Sequence, residues 1–555
     1  MESEEEAVQL QQEQVPATAS RLEMKLHTGN LSYTRTASAT ELQYSSRWRQ
    51  DYRLWRIPNE VRSINKEAYT PKFVCIGPYH READGSSLPG EKLKKLYYEK
   101  LLDLVERDKR KQGDIVERCK RRLRQLVEEV GWFYADEHVL KKMKAQDMVT
   151  MLLYDGCFII MHLYNYALGV NEKNLHSTRW APAQLRIDLG LLENQIPFFV
   201  LVELFGHLTP PYLLPERDAG DPEKKRRTLQ DMALWYMLDS LYKSALNDDE
   251  SPLDHLQIAA DEEIHHLLQL VHVAHRVRLD AAEADRRNAG WEWPCLQHPC
   301  RTLRRLACDI LFHLMRLLLC MCWWRRGSGK NGDRNDPKQN IASAAQLKEF
   351  GVKITVAPLY LAGVLDVRIR DDEVKLEMPP LSVEKATVPL LQNLIAYEQQ
   401  GTPSSRRRRC HSSKHDDVDT DYCFCCKEEV ASPALDYFTT YAFLMYNLIS
   451  SKEDIALLQE KGILCNNFGS QETIITFFKN LCLWNLRSDT KDSPIGKVLN
   501  KLRNYSQDLK LRDRAEMKKY FNSPVKIFVV IVSTAVTVST ILQAIYTVTS
   551  SSLEH

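Results

Sequence analysis

Met148-Val-Thr-Met-Leu-Leu-Tyr-Asp155-Gly-Cys-Phe-Ile-Ile-Met-His-Leu-Tyr164 is apolar on nearly every side. So is Leu189-Gly-Leu-Leu-Glu193-Asn-Gln-Ile-Pro197-Phe-Phe-Val-Leu-Val-Glu-Leu-Phe205. A surface helix carries one apolar stripe, whereas a helix apolar all round is enclosed by its neighbours. Both stretches are too short and too polar to cross a bilayer. They are therefore expected to form the helical centre of a core. The outer layer is read from periodicity. Leu93, Leu96, Tyr97, Leu101, Leu104 and Val105 fall on one helix face, and Val116, Cys119, Leu123, Leu126, Val127 and Val130 on another. The intervening Lys109 to Lys111 and Lys120 to Arg122 read as solvated charge. Further helices are expected at residues 229–246, 261–278, 388–398 and around 437–448. Ser451-Lys-Glu-Asp454 has capping-box spacing, and Gly462 is placed to stop the helix it opens.

The period then changes. Val352-Lys-Ile-Thr-Val356, Leu365-Asp-Val-Arg-Ile369 and Val374-Lys-Leu-Glu-Met378 alternate apolar and polar residues. That pattern predicts three short strands of one antiparallel sheet. The expected fold is mainly α with a small antiparallel β-sheet, followed by a single C-terminal transmembrane helix. Residues 1–45 are Glu/Gln-rich and then Ser/Thr-rich, and read as a disordered arm. Residues 46–522 read as one mostly helical body, with variable insertions at about 281–340 and 401–432. Residues 525–549 read as a membrane anchor.

The anchor reading rests on Ile527 to Leu553, which carries no charged side chain. The most apolar part, Ile527 to Val548, is about 22 residues or about 33 Å of helix, enough for a hydrocarbon core. Lys518, Lys519 and Lys526 lie just before it and set the orientation with the body in the cytosol. The lipid bilayer of the plasma membrane or an endomembrane is thus the first expected partner. Ser533, Thr537, Thr540, Ala544 and Thr547 recur every three or four residues, a small-residue face suited to lateral self-association. Glycan on the sequon asparagines Asn30 or Asn504 would instead indicate an extracellular receptor of reverse topology.

Across the 555 residues, Lys+Arg 75 against Asp+Glu 74 leaves a net charge of +1 and no field to draw nucleic acid. The mean hydropathy of −0.39 excludes a multi-span membrane protein. Fourteen cysteines are far too sparse for a disulfide scaffold. Cys75, Cys157, Cys465 and Cys482 sit singly in apolar runs, as reduced buried thiols do. The N-terminus is acidic and has no apolar signal core.

No established catalytic signature is present, neither His-Glu-x-x-His nor Gly-x-Ser-x-Gly nor a kinase set. Gly327-Ser-Gly-Lys330 lacks the spacer of a phosphate loop. Cys295, His298, Cys300 and Cys308 are spaced too irregularly for zinc, and Cys410, His411, His415, Cys423, Cys425 and Cys426 lack the x-x pairs. Asp417, Asp419, Asp421 and Glu428 have calcium-loop spacing, but Tyr422 stands where the turn needs glycine. No metal or cofactor is expected, and no catalytic residue is assigned. Cys320 and Cys322, beside Arg325 and Arg326, are acylation candidates on an interfacial helix. His80, Asp155, Glu193 and Asn194 are polar groups framed by apolar or Pro/Gly-rich sequence. They form the candidate pocket, with structural hydrogen bonding as the competing reading.

Several blocks then add up. Ile57-Pro58-x-x-Val-Arg62-x-x-Asn65-x-x-x-Tyr69-x-Pro71 precedes Ile76-Gly-Pro-Tyr-His80. Leu152-Leu-Tyr-Asp155-Gly-Cys-Phe158, Asp188-Leu-Gly-Leu-Leu-Glu193-Asn-Gln-Ile-Pro-Phe-Phe199, Ser343 to Lys353, Asn393 to Glu398 and Asp454 to Leu458 follow in order. Together they resemble the plant family called domain of unknown function 247, over about residues 48–548. Val61 departs from the usual Leu, and Cys75 from a common small Ser. The resemblance implies a plant membrane protein with no known reaction. Some grass members are linked to pollen recognition in self-incompatibility. The functional expectation is a non-enzymatic recognition or signalling module with unknown protein partners. The alternative is an enzyme using a pocket around His80, Asp155 and Glu193.

Overall fold

The computed structural model describes residues 52–81, 88–210, 213–214, 220–242, 258, 262–288, 341–357, 363–370, 374–400, 436–482, 493–507 and 524–551. Outside them lie the N-terminal arm, most of the first insertion and all of the second, the Cys320/Cys322 pair, the three candidate metal clusters, Lys518 and Lys519.

The architecture is mainly helical with a small mixed sheet. At its centre is α5 (Ala145–Ala167), with α2 (Glu91–Val105), α3 (Lys109–Phe133), α7 (Phe198–Leu208) and α8 (Pro222–Tyr242) packed around it. Leu152, Cys157, Phe158 and Leu163 of α5 are fully buried. Contrary to the expectation that this stretch is too short and too polar to span, α5 is long and apolar enough to cross a membrane, but 83% of its apolar stretch is buried, as befits the expected core helix. Gly156 lets α7 approach it, since a Cβ there would lie 2.3 Å from Leu204 Cδ1. The short elements α1 (Asn59–Ile64), α4 (Glu137–Lys142) and α6 (Ala181–Leu189) complete this half. The second apolar stretch differs from expectation. It is not one helix: α6 ends at Leu189, and residues 190–197 form a turn before α7. Pro197, which has no N–H to continue a helix, stands at the N-cap of α7.

Helix α9 (Leu267–Asn288) joins this half to the second, meeting α8 on one side and α11 (Thr387–Gln399) on the other. The second half holds α10 (Ala344–Glu349), α12 (Tyr437–Leu448), α13 (Lys452–Glu460), α14 (Gln471–Leu481) and α15 (Pro494–Gln507). The Ser451–Asp454 capping box is present, and Gly462 follows α13 at φ +70°.

The antiparallel sheet expected from the alternation is corrected to a mixed one. β1 (Lys353–Val356), β2 (Arg368–Arg370) and β3 (Lys375–Met378) lie in the order β1-β3-β2. β2 and β3 pair antiparallel, with Ile369 opposite Leu376. β1 instead pairs parallel with β3, Ile354 opposite Leu376. Alternation fixes which face is buried, not which neighbour runs in which direction. A second parallel pair, β4 (Leu381–Val383) with β5 (Leu464–Asn466), joins residues far apart in sequence. Cys465 on β5 is exposed, contrary to its expected burial, while Cys75, Cys119 and Cys157 are buried free thiols.

Helix α16 (Pro524–Ser551) is 28 residues long. It turns apolar side chains outward: Val536 is 60% exposed, Leu542 61% and Tyr546 74%. Of the small-residue face, Ser533, Thr540, Ala544 and Thr547 are exposed, and the side chains of Thr537 and Lys526 lie outside the described residues.

Candidate functional site

Residues 72–77 form an irregular segment without a strand partner, buried from Phe73 onward. Buried backbone N–H groups must nevertheless be bonded. Here six consecutive N–H groups go to four side chains. The Asp188 carboxylate, in the last turn of α6, accepts from Lys72 at 3.1 Å, Phe73 at 2.6 Å and Val74 at 2.9 Å. Glu91, at the start of α2, accepts from Cys75 at 2.8 Å. Asn194 accepts from Ile76 at 2.7 Å and donates to the Val74 and Asp188 carbonyls. Asp155, in the middle of α5, accepts from Gly77 at 2.9 Å.

Charges lock this strap. Asp155 pairs with Arg81 at 2.8 Å and Lys94 at 2.7 Å. Lys94 is itself buried, bonds Glu91 at 2.8 Å, and donates to the Cys75 carbonyl. Burial alone would raise the Asp155 pKa, but the two cations outweigh it and hold the carboxyl below its usual value. Asp188 has only N–H partners, so burial wins and its pKa is raised. The Cys75 thiol, chiefly by burial and next by Glu91, is pushed up to about 12, far from a reactive thiolate.

The turn after α6 makes the same use of side chains. Glu193 accepts the Ile57 N–H and the Arg62 guanidinium, each at 2.5 Å. Gln195 donates to the Leu189 and Leu191 carbonyls and accepts from Leu267 N–H at 3.1 Å. Asn393 of α11 accepts from Leu192 N–H and donates to the Ala68 carbonyl, both at 2.8 Å.

Asp155, Glu193 and Asn194 thus all bond the segment 57–81, which carries His80. Asp155 and Asn194 are committed to backbone and ion partners. His80 Nε2 and Glu193 Oε2 stand 3.6 Å apart, and neither has a hydrogen bond among the described residues. Burial, then Arg62 and Arg56, push the His80 pKa down to about 3, so the imidazole is neutral. Sequence reasoning missed Asp188, Glu91, Lys94, Arg81 and Arg62. Lys94 and Glu91 sit in an amphipathic helix where charge reads as solvated. Asp188 carried the one available signal, a carboxylate directly before an apolar turn. Among the described residues no group of three His, Cys, Asp or Glu side chains could hold a metal. A cavity of about 420 Å³ lies beside the Ile57 backbone, and none of the four predicted residues lines it.

A UPF0481 protein of Arabidopsis thaliana is 24% identical over 436 residues, covering 77% of this chain and 72% of that protein. No solved structure matches the chain significantly. The model of the family domain of unknown function 247, described as plant protein of unknown function, matches residues 54–539, a span that includes every residue of the polar lock. The chain therefore belongs to this plant family.

Proposed function

We propose that the protein is a membrane-anchored, non-enzymatic recognition or signalling module, held by α16 with its helical body on the cytosolic side. The observation that carries this reading is the outward apolar surface of α16. In water such a surface is costly, at roughly 25 cal/mol per Å²; in lipid it is the expected one. The Thr540 and Thr547 hydroxyls donate to the Val536 and Gln543 carbonyls at 2.8 Å, which spares them a bare polar group in hydrocarbon. Ser533, Thr540, Ala544 and Thr547 then offer a second copy a close approach within the bilayer. The buried carboxylates hold backbone, which supports a scaffold role for the body and leaves partner choice to the insertions at 281–340 and 401–432. Pollen recognition in self-incompatibility is one setting for such a module.

The test is alkaline extraction of membranes carrying the full chain. The protein should stay in the pellet, and Val536→Lys with Leu542→Lys should release it, each lysine costing about 3 kcal/mol at a span centre. Release of the unaltered chain contradicts the reading. Partner capture should survive Glu193→Gln and fail when residues 401–432 are exchanged.

A second reading, an enzyme, uses the facing His80 Nε2 and Glu193 Oε2, which have no hydrogen bond among the described residues. A substrate turned over by the wild type and not by a folded His80→Gln variant would establish it.

A further inference from the structure

We propose that the cavity between Trp55 and Leu481 binds a neutral, flat, largely apolar small molecule bearing carbonyl or hydroxyl groups. Three segments distant in sequence converge on it: the start of the body, α11 and the end of α14. Its volume of about 420 Å³ falls within the range of small-molecule sites, ~300–1,000 Å³. Ile57, Pro58, Val61, Ile395 and Leu481 supply apolar wall. Trp55, 42% exposed at the lip, presents an indole that the core does not use.

The wall holds no free charge. Arg56, its one ionisable cation, is paired with Asp136 at 2.7 Å, and its guanidinium lies 4.7 Å over the Tyr79 ring. A charged ligand would enter such a site without a counter-ion, so the occupant is neutral. Polarity comes from amides. Gln392, in the cavity wall, accepts from Asn65 at 2.9 Å, which leaves its NH2 available as a donor. Gln399 donates to Thr439 Oγ1 at 3.2 Å, which leaves its carbonyl as an acceptor. The two stand seven residues apart on α11, about 10 Å along the axis. A rigid molecule with a carbonyl at one end and a hydroxyl at the other matches that spacing. Flatness follows from the half-exposed Trp55 indole at the lip, a surface suited to stacking. The wall is positioned from behind by Glu193, which holds the Ile57 N–H.

The test uses the full chain in detergent, with flavone as the probe: neutral, planar and carbonyl-bearing. Saturable one-to-one binding above the detergent background is expected by titration calorimetry. Ala396→Trp, which fills the cavity, should weaken it at least tenfold. Trp55→Ala, which removes a half-exposed ring, should weaken it several-fold and serves if Ala396→Trp does not fold. The planar anion 1-naphthoate and the flexible neutral dodecanol should each bind at least tenfold more weakly than flavone. Absence of saturable flavone binding, equal affinity in wild type and the folded variants, or equal binding of 1-naphthoate overturns the proposal.

Discussion

The carboxylate of Asp188 accepts the backbone N–H of Phe73 at 2.6 Å, across 115 positions of sequence. The same carboxylate takes the N–H groups on either side, so one side chain replaces the strand that residues 72–74 lack. Removing it leaves the buried Phe73 and Val74 N–H groups, and the part-buried Lys72 N–H, without this partner. Asp188→Ala should therefore cost about 3–5 kcal/mol, more than one unsatisfied group at about 1–3 kcal/mol. Urea unfolding of the wild type and variant reads this directly. A loss under about 1 kcal/mol would mean that water takes over the three bonds.

Asp155 and Asp188 should move stability with pH in opposite directions. The depressed folded pKa of Asp155 adds stability above the unfolded value near ~4, and that stability is lost as pH falls through the folded value. The raised folded pKa of Asp188 does the reverse: it favours the folded state at low pH and withdraws that advantage as pH rises through it. The stability gap between wild type and Asp155→Asn should widen from about pH 3 to pH 7, and the gap for Asp188→Asn should narrow. Denaturant titrations at several pH values decide; parallel trends would show that the two sites do not titrate as their partners require.

Gly77 sits at φ +72°, and a Cβ there would lie 2.4 Å from the Gln195 carbonyl oxygen. Backbone blocks the space, so no side-chain rotation relieves it. Gly77→Ala should cost about 2–4 kcal/mol, combining a left-handed residue with the clash. Thermal unfolding checks it, with Gly169→Ala as the reference. Gly169 has φ +68° and nothing within 4 Å, so it isolates the backbone component.

Much of the helical frame was legible because apolar periodicity reports burial directly. The stretch at Met148 and the capping box at Ser451 both stand as read. The pairing of β1 was not legible, because Ile354 and Leu376 would alternate identically in either strand direction. Lys94 was hidden for a different reason. It lies in a helix rich in solvated charge, and only the arrival of Asp155 from another helix makes it a core residue. His80, Asp155, Glu193 and Asn194 stood out because apolar surroundings make polar groups conspicuous. That signal reports burial with partners and does not separate a reaction site from a structural tie.

Glu398 ties the two ends of the second insertion. It accepts the Phe438 and Thr439 N–H groups at 2.9 and 2.8 Å, capping α12 from α11, and it also meets His272 Nε2 at 2.8 Å. The N-cap residue of α12, Asp436, makes no side-chain capping bond. Glu398→Ala should cost about 1–2 kcal/mol, the value of a lost cap. Amide hydrogen exchange at Phe438 and Thr439 should speed up, while exchange in α5 stays unchanged. Uniform acceleration across both helices would show a global effect instead.

The orientation of the body is the central claim of the proposed function. It is measured by glycosylation of the full chain inserted into endoplasmic-reticulum membranes, with an acceptor sequon added after Ser551. The account predicts glycan on the added site, none at Asn504, and a carbonate-resistant pellet. Glycan at Asn504 or Asn30, or an unglycosylated chain recovered in the soluble fraction, would contradict it.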